Sequence, residues 1–261
     1  MPDPRPGDDV EIWTGPPSPL TRISYAIVRG LIWLVAKAFG RVEIVGAEKI
    51  PATGSFVLAP VHRSNVDFAL TSIVTRRPMR YMGKDNIWKS KALGRFVTML
   101  GAFPVHRGSA DRDALKACID IVEGGNPLVM FPEGTRRSGP VVEDLFDGTA
   151  FVAARARVPI VPMGIGGSEA MMPKGAKMLK PSKLVLVIGD PIPAPDLTAK
   201  GRVPRSAVGQ LTARLYDELQ VLFDDAMARA GRPNPPRLDP SPGPSIEASD
   251  PPSEDQASDE A

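Results

Sequence analysis

The sequence predicts an α/β fold: a single domain with a mixed, mostly parallel sheet flanked by helices. Three observations carry that prediction. Short apolar runs of strand length alternate with longer amphipathic patterns of helix length between residues 41 and 230. Some runs, such as PLVMF at 127–131, are apolar throughout, as a strand buried on both faces requires. The segments with unusual chemistry follow these runs, and strand ends are where such sheets hold their sites.

The elements follow in order. Residues 1–19 are rich in Pro, Asp and Gly and read as a disordered leader. Residues 20–40 read as an amphipathic helix. At about 100° per residue, Arg22, Arg29 and Lys37 fall in one narrow arc, and Ile23, Ile27, Leu31, Leu34 and Val35 lie opposite. Basic residues on the polar face are the pattern of a helix lying in a membrane interface. The competing reading is a surface helix packed on its own domain. A full span is disfavoured, because three charges would enter the hydrocarbon. The body, residues 41–230, supplies strands at 42–46, 55–60, 79–83, 102–105, 127–131, 159–165 and 183–189. Helices are predicted at 67–76, with Ser64 or Asn65 as N-cap, and at 93–100, 111–124, 149–157 and 203–230. Residues 231–261 hold almost no large apolar side chain and read as a disordered acidic, Pro-rich tail.

A hydrophobic fraction of 43% with 24% charged residues is ordinary for a folded domain. The single cysteine, Cys118, excludes an intramolecular disulfide and sits in a helical pattern as a small core residue. The net charge of +2 hides a division: the tail carries two arginines against seven carboxylates, or −5, which leaves +7 on the rest. A basic body suits an anionic partner. Nucleic acid is not expected, because no recognition module or aromatic-basic stacking pattern is present. Gly166-Gly167-Ser168-Glu169-Ala170 lacks the final glycine of a hydrolase nucleophile elbow. Two histidines and one cysteine offer little for a zinc site, and no metal is expected.

VHRSNVDF, residues 61–68, places one of those histidines after an apolar strand. On one continuous helix His62 and Asp67 would stand about 140° apart. Across a strand-to-helix turn they can meet, with Asp67 orienting one imidazole nitrogen and leaving the other free as a base. Local capping or a surface pair is the plainer alternative. No serine or cysteine nucleophile is clearly paired with them, so the base would act on a substrate hydroxyl directly. FPEGTRRSG, 131–139, follows PLVMF and sets Glu133 and Arg136 about a tight turn at Gly134. Arg136 suits a bidentate grip on phosphate. GAFPVHRG, 101–108, places Arg107 after another extended piece, and VPIVPM, 158–163, reads as structural.

Taken together, H-x4-D, G-x-F-x-x-x-R, F-P-E-G-T-R and V-P-I-V-P in this order resemble the glycerolipid acyltransferase family, in particular the PlsC-like 1-acylglycerol-3-phosphate acyltransferases. The resemblance covers roughly residues 25–200. It implies His62 as general base and Asp67 as its orienter. It assigns Arg107, Glu133, Gly134, Thr135 and Arg136 to the acceptor's phosphate, with Lys84 assisting. It implies transfer of a fatty acyl group from a thioester to the free sn-2 hydroxyl of 1-acylglycerol 3-phosphate, with no cofactor beyond the acyl-CoA or acyl carrier protein co-substrate. The implied partners are that lysophospholipid, the thioester donor, an anionic membrane surface and, as a candidate, acyl carrier protein. The implied location is the cytoplasmic face of the cell membrane, peripheral or monotopic. Three positions depart from the family pattern: Val61 where Asn is usual, Ala102–His106 in the second motif, and acidic Asp147 where a basic residue is common. These leave open a different acceptor, such as glycerol 3-phosphate, another lysophospholipid or an acyl-amino acid. A third reading is an inactive membrane-binding homologue.

Overall fold

The computed structural model describes residues 7, 10, 12–105, 112–173, 175–176, 178–196 and 202–236. Seven strands form one sheet: β1 (Glu43–Val45), β2 (Val57–Pro60), β3 (Arg80–Lys84), β4 (Ala102–Val105), β5 (Leu128–Val129), β6 (Ile160–Gly166) and β7 (Val185–Ile188). Their order is β1-β7-β6-β2-β5-β3-β4. Every neighbouring pair is parallel except β6 and β7. All seven predicted strands are present, and the sheet is mixed and mostly parallel as expected.

The central strands are uniformly apolar because both faces are covered. Every residue of β2, β6 and β7 is buried. The helices are α1 (Pro19–Gly40), α2 (Asp67–Thr71), α3 (Lys91–Met99), α4 (Arg112–Glu123), α5 (Gly148–Ala156), α6 (Ser168–Met171) and α7 (Arg205–Arg229). Cys118 of α4 is fully buried, and burial pushes its thiol up to about 12, as suits an inert core residue.

Two differences from the sequence reading have local causes. The helix expected over 67–76 ends at Thr71. Beyond it the Ser72, Ile73 and Val74 N–H groups donate three residues back, to Ala69, Leu70 and Thr71. Thr71 and Ser72 also donate their hydroxyls to the Phe68 and Ala69 carbonyls, which tightens the chain out of the α geometry. In addition, part of the expected disordered leader lies against the body. The Thr14 and Gly15 carbonyls accept from Asn126 Nδ2 at 2.6 and 3.1 Å. The tail's first residues are held as well, with Asn234 Nδ2 donating to Asp224 Oδ1 at 2.7 Å. Residues 237–261 lie outside the described residues.

Helix α1 is amphipathic as predicted, but it is turned outward. Leu20, Ile23, Ile27, Leu31 and Leu34 are all about 60% exposed (59–67%). Arg29, by contrast, faces the body and donates to the Thr75 and Ile73 carbonyls at 2.7 and 3.2 Å. A helix packed on its own domain buries its apolar side, so this orientation goes against that reading. Among the described residues α1 alone is long and apolar enough to cross a membrane.

On the other side of the molecule, α7 packs directly on the backbone of β6. A Cβ added at Gly164 would lie 2.2 Å from the Leu222 carbonyl oxygen, and one at Gly166 equally close to that of Ala226. These glycines set the distance between helix and sheet. Gly164→Ala should therefore lower stability by about 1–3 kcal/mol in urea unfolding. Gly30→Ala on α1, where a Cβ meets nothing within 4 Å, should raise it by about 0.5–1 kcal/mol.

Candidate active site

Strands β2 and β5 are neighbours and run in the same direction, so the loops that leave them emerge side by side. One loop carries VHRSNVD and the other FPEGTRR. Val61 continues the ladder, donating its N–H to Met163 of β6, and is fully buried. An apolar residue is natural there, which accounts for the departure at that position.

The turn after Val61 brings His62 and Asp67 together. His62 Nδ1 and Asp67 Oδ2 are 3.0 Å apart. The same carboxylate oxygen accepts the backbone N–H groups of Arg63 and Ser64, each at 2.6 Å. Asp67 is fully buried, whereas His62 keeps 16% of its side chain exposed. With Oδ2 accepting from Nδ1–H, the tautomer is fixed and Nε2 carries the lone pair. The Phe131 ring lies against the imidazole, with centroids 4.1 Å apart. The expected N-caps are absent. Val66 holds the cap position of α2 with no side-chain bond, and Ser64 Oγ instead donates to the Met172 carbonyl at 2.8 Å. Asp67 itself gathers the loose N–H groups of the turn.

Glu133 corrects the sequence reading. It was expected at the acceptor's phosphate, but it is fully buried and its carboxylate is used internally. Oε1 and Oε2 accept from Arg63 Nη1 at 2.7 and 2.8 Å, and Oε2 also accepts the His62 backbone N–H at 2.9 Å. Oε1 takes the Glu143 N–H at 3.3 Å as well. An anion bound this way has no face to offer a phosphate. Arg63, which the sequence reading passed over, completes the brace. It is 2% exposed, donates to the Val141 carbonyl at 3.0 Å and stacks 4.8 Å from the centre of the Phe223 ring on α7. Its signal in the sequence was slight: an arginine between a strand end and a histidine, with a glutamate at the end of another apolar strand. Arg137, the residue after Arg136, reinforces the contact between the loops by donating its N–H to the His62 carbonyl at 2.9 Å.

The remaining predicted residues divide. His62, Gly134 and Lys84 line one cavity of roughly 390 Å³. Gly134 has φ +65°, and an added Cβ would lie 2.7 Å from the Phe146 ring, so the turn requires glycine. Lys84 is exposed at the end of β3. Thr135 and Arg136 stand on the turn beyond Gly134 and are not part of the cavity lining. Arg136 is half-buried, with no hydrogen bond or ion pair among the described residues. Arg107 lies outside the described residues, two positions past the end of β4. The cavity is otherwise apolar, with Val28 and Ile32 of α1, Phe68 of α2, and Val97 and Leu100 of or just after α3 in its walls. Tyr25 and Tyr81 also line it, their hydroxyls 3.3 Å apart. The acidic Asp147 lies elsewhere, with Oδ1 accepting from Thr212 Oγ1 of α7 at 2.6 Å, so that departure ties α7 to the N-terminus of α5. Among the described residues no group of His, Cys, Asp and Glu could hold a metal ion.

Known proteins resemble this chain in sequence and in fold. A family model described as Acyltransferase matches residues 41–166. The 1-acyl-sn-glycerol-3-phosphate acyltransferase of Bacillus subtilis (strain 168) is 28% identical over 204 residues, 76% of this chain and 100% of that protein. The protein of the same description from Streptococcus pneumoniae is 26% identical over 220 residues, 82% of this chain and 79% of that one. The crystal structure of the 1-acyl-sn-glycerophosphate (LPA) acyltransferase PlsC from Thermotoga maritima superposes with a TM-score of 0.63 at 21% identity, covering 77% of this chain and 81% of that one. That likeness is one of fold.

The Arg63–Glu133 pair makes a sharp stability prediction. Glu133→Ala leaves a buried guanidinium without its anion and should cost about 3–5 kcal/mol in urea unfolding. The double variant Arg63→Met with Glu133→Leu should recover much of that loss, because no uncompensated charge remains.

Proposed function

We propose that this chain, whose residues 41–166 match a family model described as Acyltransferase, is an O-acyltransferase that moves a fatty acyl group from a thioester to the sn-2 hydroxyl of 1-acylglycerol 3-phosphate. His62 is the general base. The observation that carries this reading is the His62–Asp67 contact of 3.0 Å at the wall of an apolar cavity. Nδ1 is engaged by Asp67, so Nε2 is the nitrogen available to a substrate in that cavity.

The chemistry then follows in two steps. The acceptor hydroxyl gives its proton to His62 Nε2 as its oxygen bonds to the thioester carbonyl carbon. The tetrahedral intermediate collapses, the C–S bond breaks, and the departing thiolate takes the proton back from Nε2. His62 thus ends as it began. Asp67 holds the imidazole in the reactive tautomer and faces the imidazolium while it exists. Phosphate would be held by Arg107, Arg136 and Lys84, and binding it fixes the hydroxyl near the base. Glu133 and Arg63 act as positioning residues, because their bonds go to the backbone and carbonyls that carry His62. The donor is acyl-CoA or acyl-loaded carrier protein. The outward apolar face of α1 supports a location on the membrane that holds acceptor and product, with the cytoplasmic side supplying the thioester.

The test is acylation of lysophosphatidic acid in lipid vesicles with an acyl thioester. Wild type should form phosphatidic acid, and His62→Ala should lose at least ~10²-fold in turnover. Asp67→Asn should lose up to ~10⁴-fold, the loss seen when the orienting carboxylate of a comparable dyad is neutralised. Activity of the wild type on glycerol 3-phosphate or another lysophospholipid alone would move the acceptor and keep the chemistry. A His62→Ala variant as active as wild type would overturn the mechanism.

A further inference from the structure

Two of the helices that wall the site cavity present rows of unpartnered apolar side chains to the outside. One is α1. The other is α3, a short helix whose Val97 and following Leu100 line the cavity. Its Leu93 and Phe96 point away from the body and are 48% and 46% exposed. At about 100° per residue, Leu93, Phe96, Val97 and Leu100 share one arc, with Lys91 and Arg95 opposite.

This helix is built to be rigid. Ser90 Oγ caps it by accepting the Leu93 N–H at 3.4 Å. Trp88 lies under it, with Nε1 donating to Thr98 Oγ1 at 2.9 Å. Gly94 lets that indole approach, since an added Cβ would meet Trp88 Cδ1 at 2.8 Å.

The charge around the helix is one-sided. Residues 86–110 contain no Asp or Glu. Lys89, Lys91 and Arg95 are exposed and have no ion-pair partner among the described residues. Exposed Leu and Phe beside unpaired Lys and Arg are what an element seated at an anionic bilayer surface presents.

We infer that α3 is a second membrane contact, which seats Leu93 and Phe96 among the acyl chains of a bilayer while Lys89, Lys91 and Arg95 meet anionic headgroups. The inference rests on the lipid-acyltransferase reading above, since it places the cavity mouth where a lipid acceptor resides. A planar bilayer is the occupant the observations favour. Both α1 and α3 wall the same cavity and both carry exposed apolar side chains, whereas a small acidic protein on α3 would leave the row from Leu20 to Leu34 in water. Two contacts on either side of the cavity also remove the freedom to roll about the α1 axis, which one helix alone would leave.

The test uses the full chain and a Leu93→Gln, Phe96→Gln variant. Both positions are exposed and outside the cavity lining, so the fold and the soluble reaction should be unchanged. Binding is measured by co-sedimentation with phosphatidylcholine vesicles with and without added phosphatidylglycerol. The variant should bind at least about tenfold more weakly, and wild-type binding should rise with phosphatidylglycerol. Turnover of a short-chain, water-soluble lysophosphatidic acid should be the same in both proteins. Equal vesicle binding by variant and wild type would overturn the inference. So would a Lys91→Glu, Arg95→Glu variant that binds vesicles normally but loses turnover only with acyl carrier protein as donor, which would assign the surface to that acidic protein. Weakened binding together with absence of transferase activity in wild type would uphold the membrane contact and defeat the functional reading, so the two failures are distinguishable.

Discussion

The buried ion pair of Arg63 and Glu133 is the constraint on which the site depends. Taking two charges out of water costs several kcal/mol per ion, and the fold offsets this with dense hydrogen bonding. Arg63 Nη1 meets both carboxylate oxygens, Nη2 meets the Val141 carbonyl, and the guanidinium stacks on Phe223. Glu133 further accepts the His62 and Glu143 N–H groups. The pair therefore ties together two loops, the 141–143 segment and helix α7. What it holds still is the backbone of His62, whose placement its proposed role as general base requires to within a fraction of an ångström. A hydrophobic pair could fill the same volume, but it could not accept the His62 N–H.

The sheet makes this bracing possible. Because β5 lies beside β2 in parallel, the two loops leave at the same edge and a glutamate on one reaches an arginine on the other. Helix α7 reaches the same point, since Gly164 and Gly166 let it settle onto the β6 backbone. From there it supplies Phe223 beneath Arg63, and Gln220 Oε1, which accepts the Val142 N–H at 2.7 Å. Residues far apart in sequence thus converge on one loop, and a change in the seating of α7 is felt at His62.

Much of this was legible in the sequence, and the reason differs by level. The seven strands and the longer helices were, because apolar runs and helical periodicity are local signals. The His62–Asp67 pair was, because five residues across a strand-to-helix turn permit a contact that a continuous helix forbids. The partner of Glu133 was not. A motif glutamate near arginines looks alike whether it meets substrate or a residue on another loop, and only the pairing of β2 with β5 brings Arg63 to it. The short end of α2 was hidden for a related reason: the Thr71 and Ser72 hydroxyls compete with the helix, and that competition is decided by packing. The orientation of α1 was partly visible. Its two faces could be drawn from sequence, but which face meets the body depended on the Thr75 and Ile73 carbonyls that receive Arg29.

That orientation explains how a hydrogen-bonded His–Asp pair and an apolar cavity come to share one wall. A soluble helix turns its leucines inward, because each large apolar side chain left in water forgoes about 1.5–3 kcal/mol of burial. Helix α1 leaves a row of them outside and turns Arg29 to the body, an arrangement that suits apolar surroundings. The cavity between α1, α2 and α3 continues that surface inward to His62. An acyl chain entering along it stays in apolar contact all the way. Lys84 and the imidazole line the cavity at the ends of β3 and β2, where the strands stop and charged side chains begin. A boundary between apolar and polar surroundings thus runs through the cavity, and the hydroxyl and thioester of the proposed reaction would meet on it.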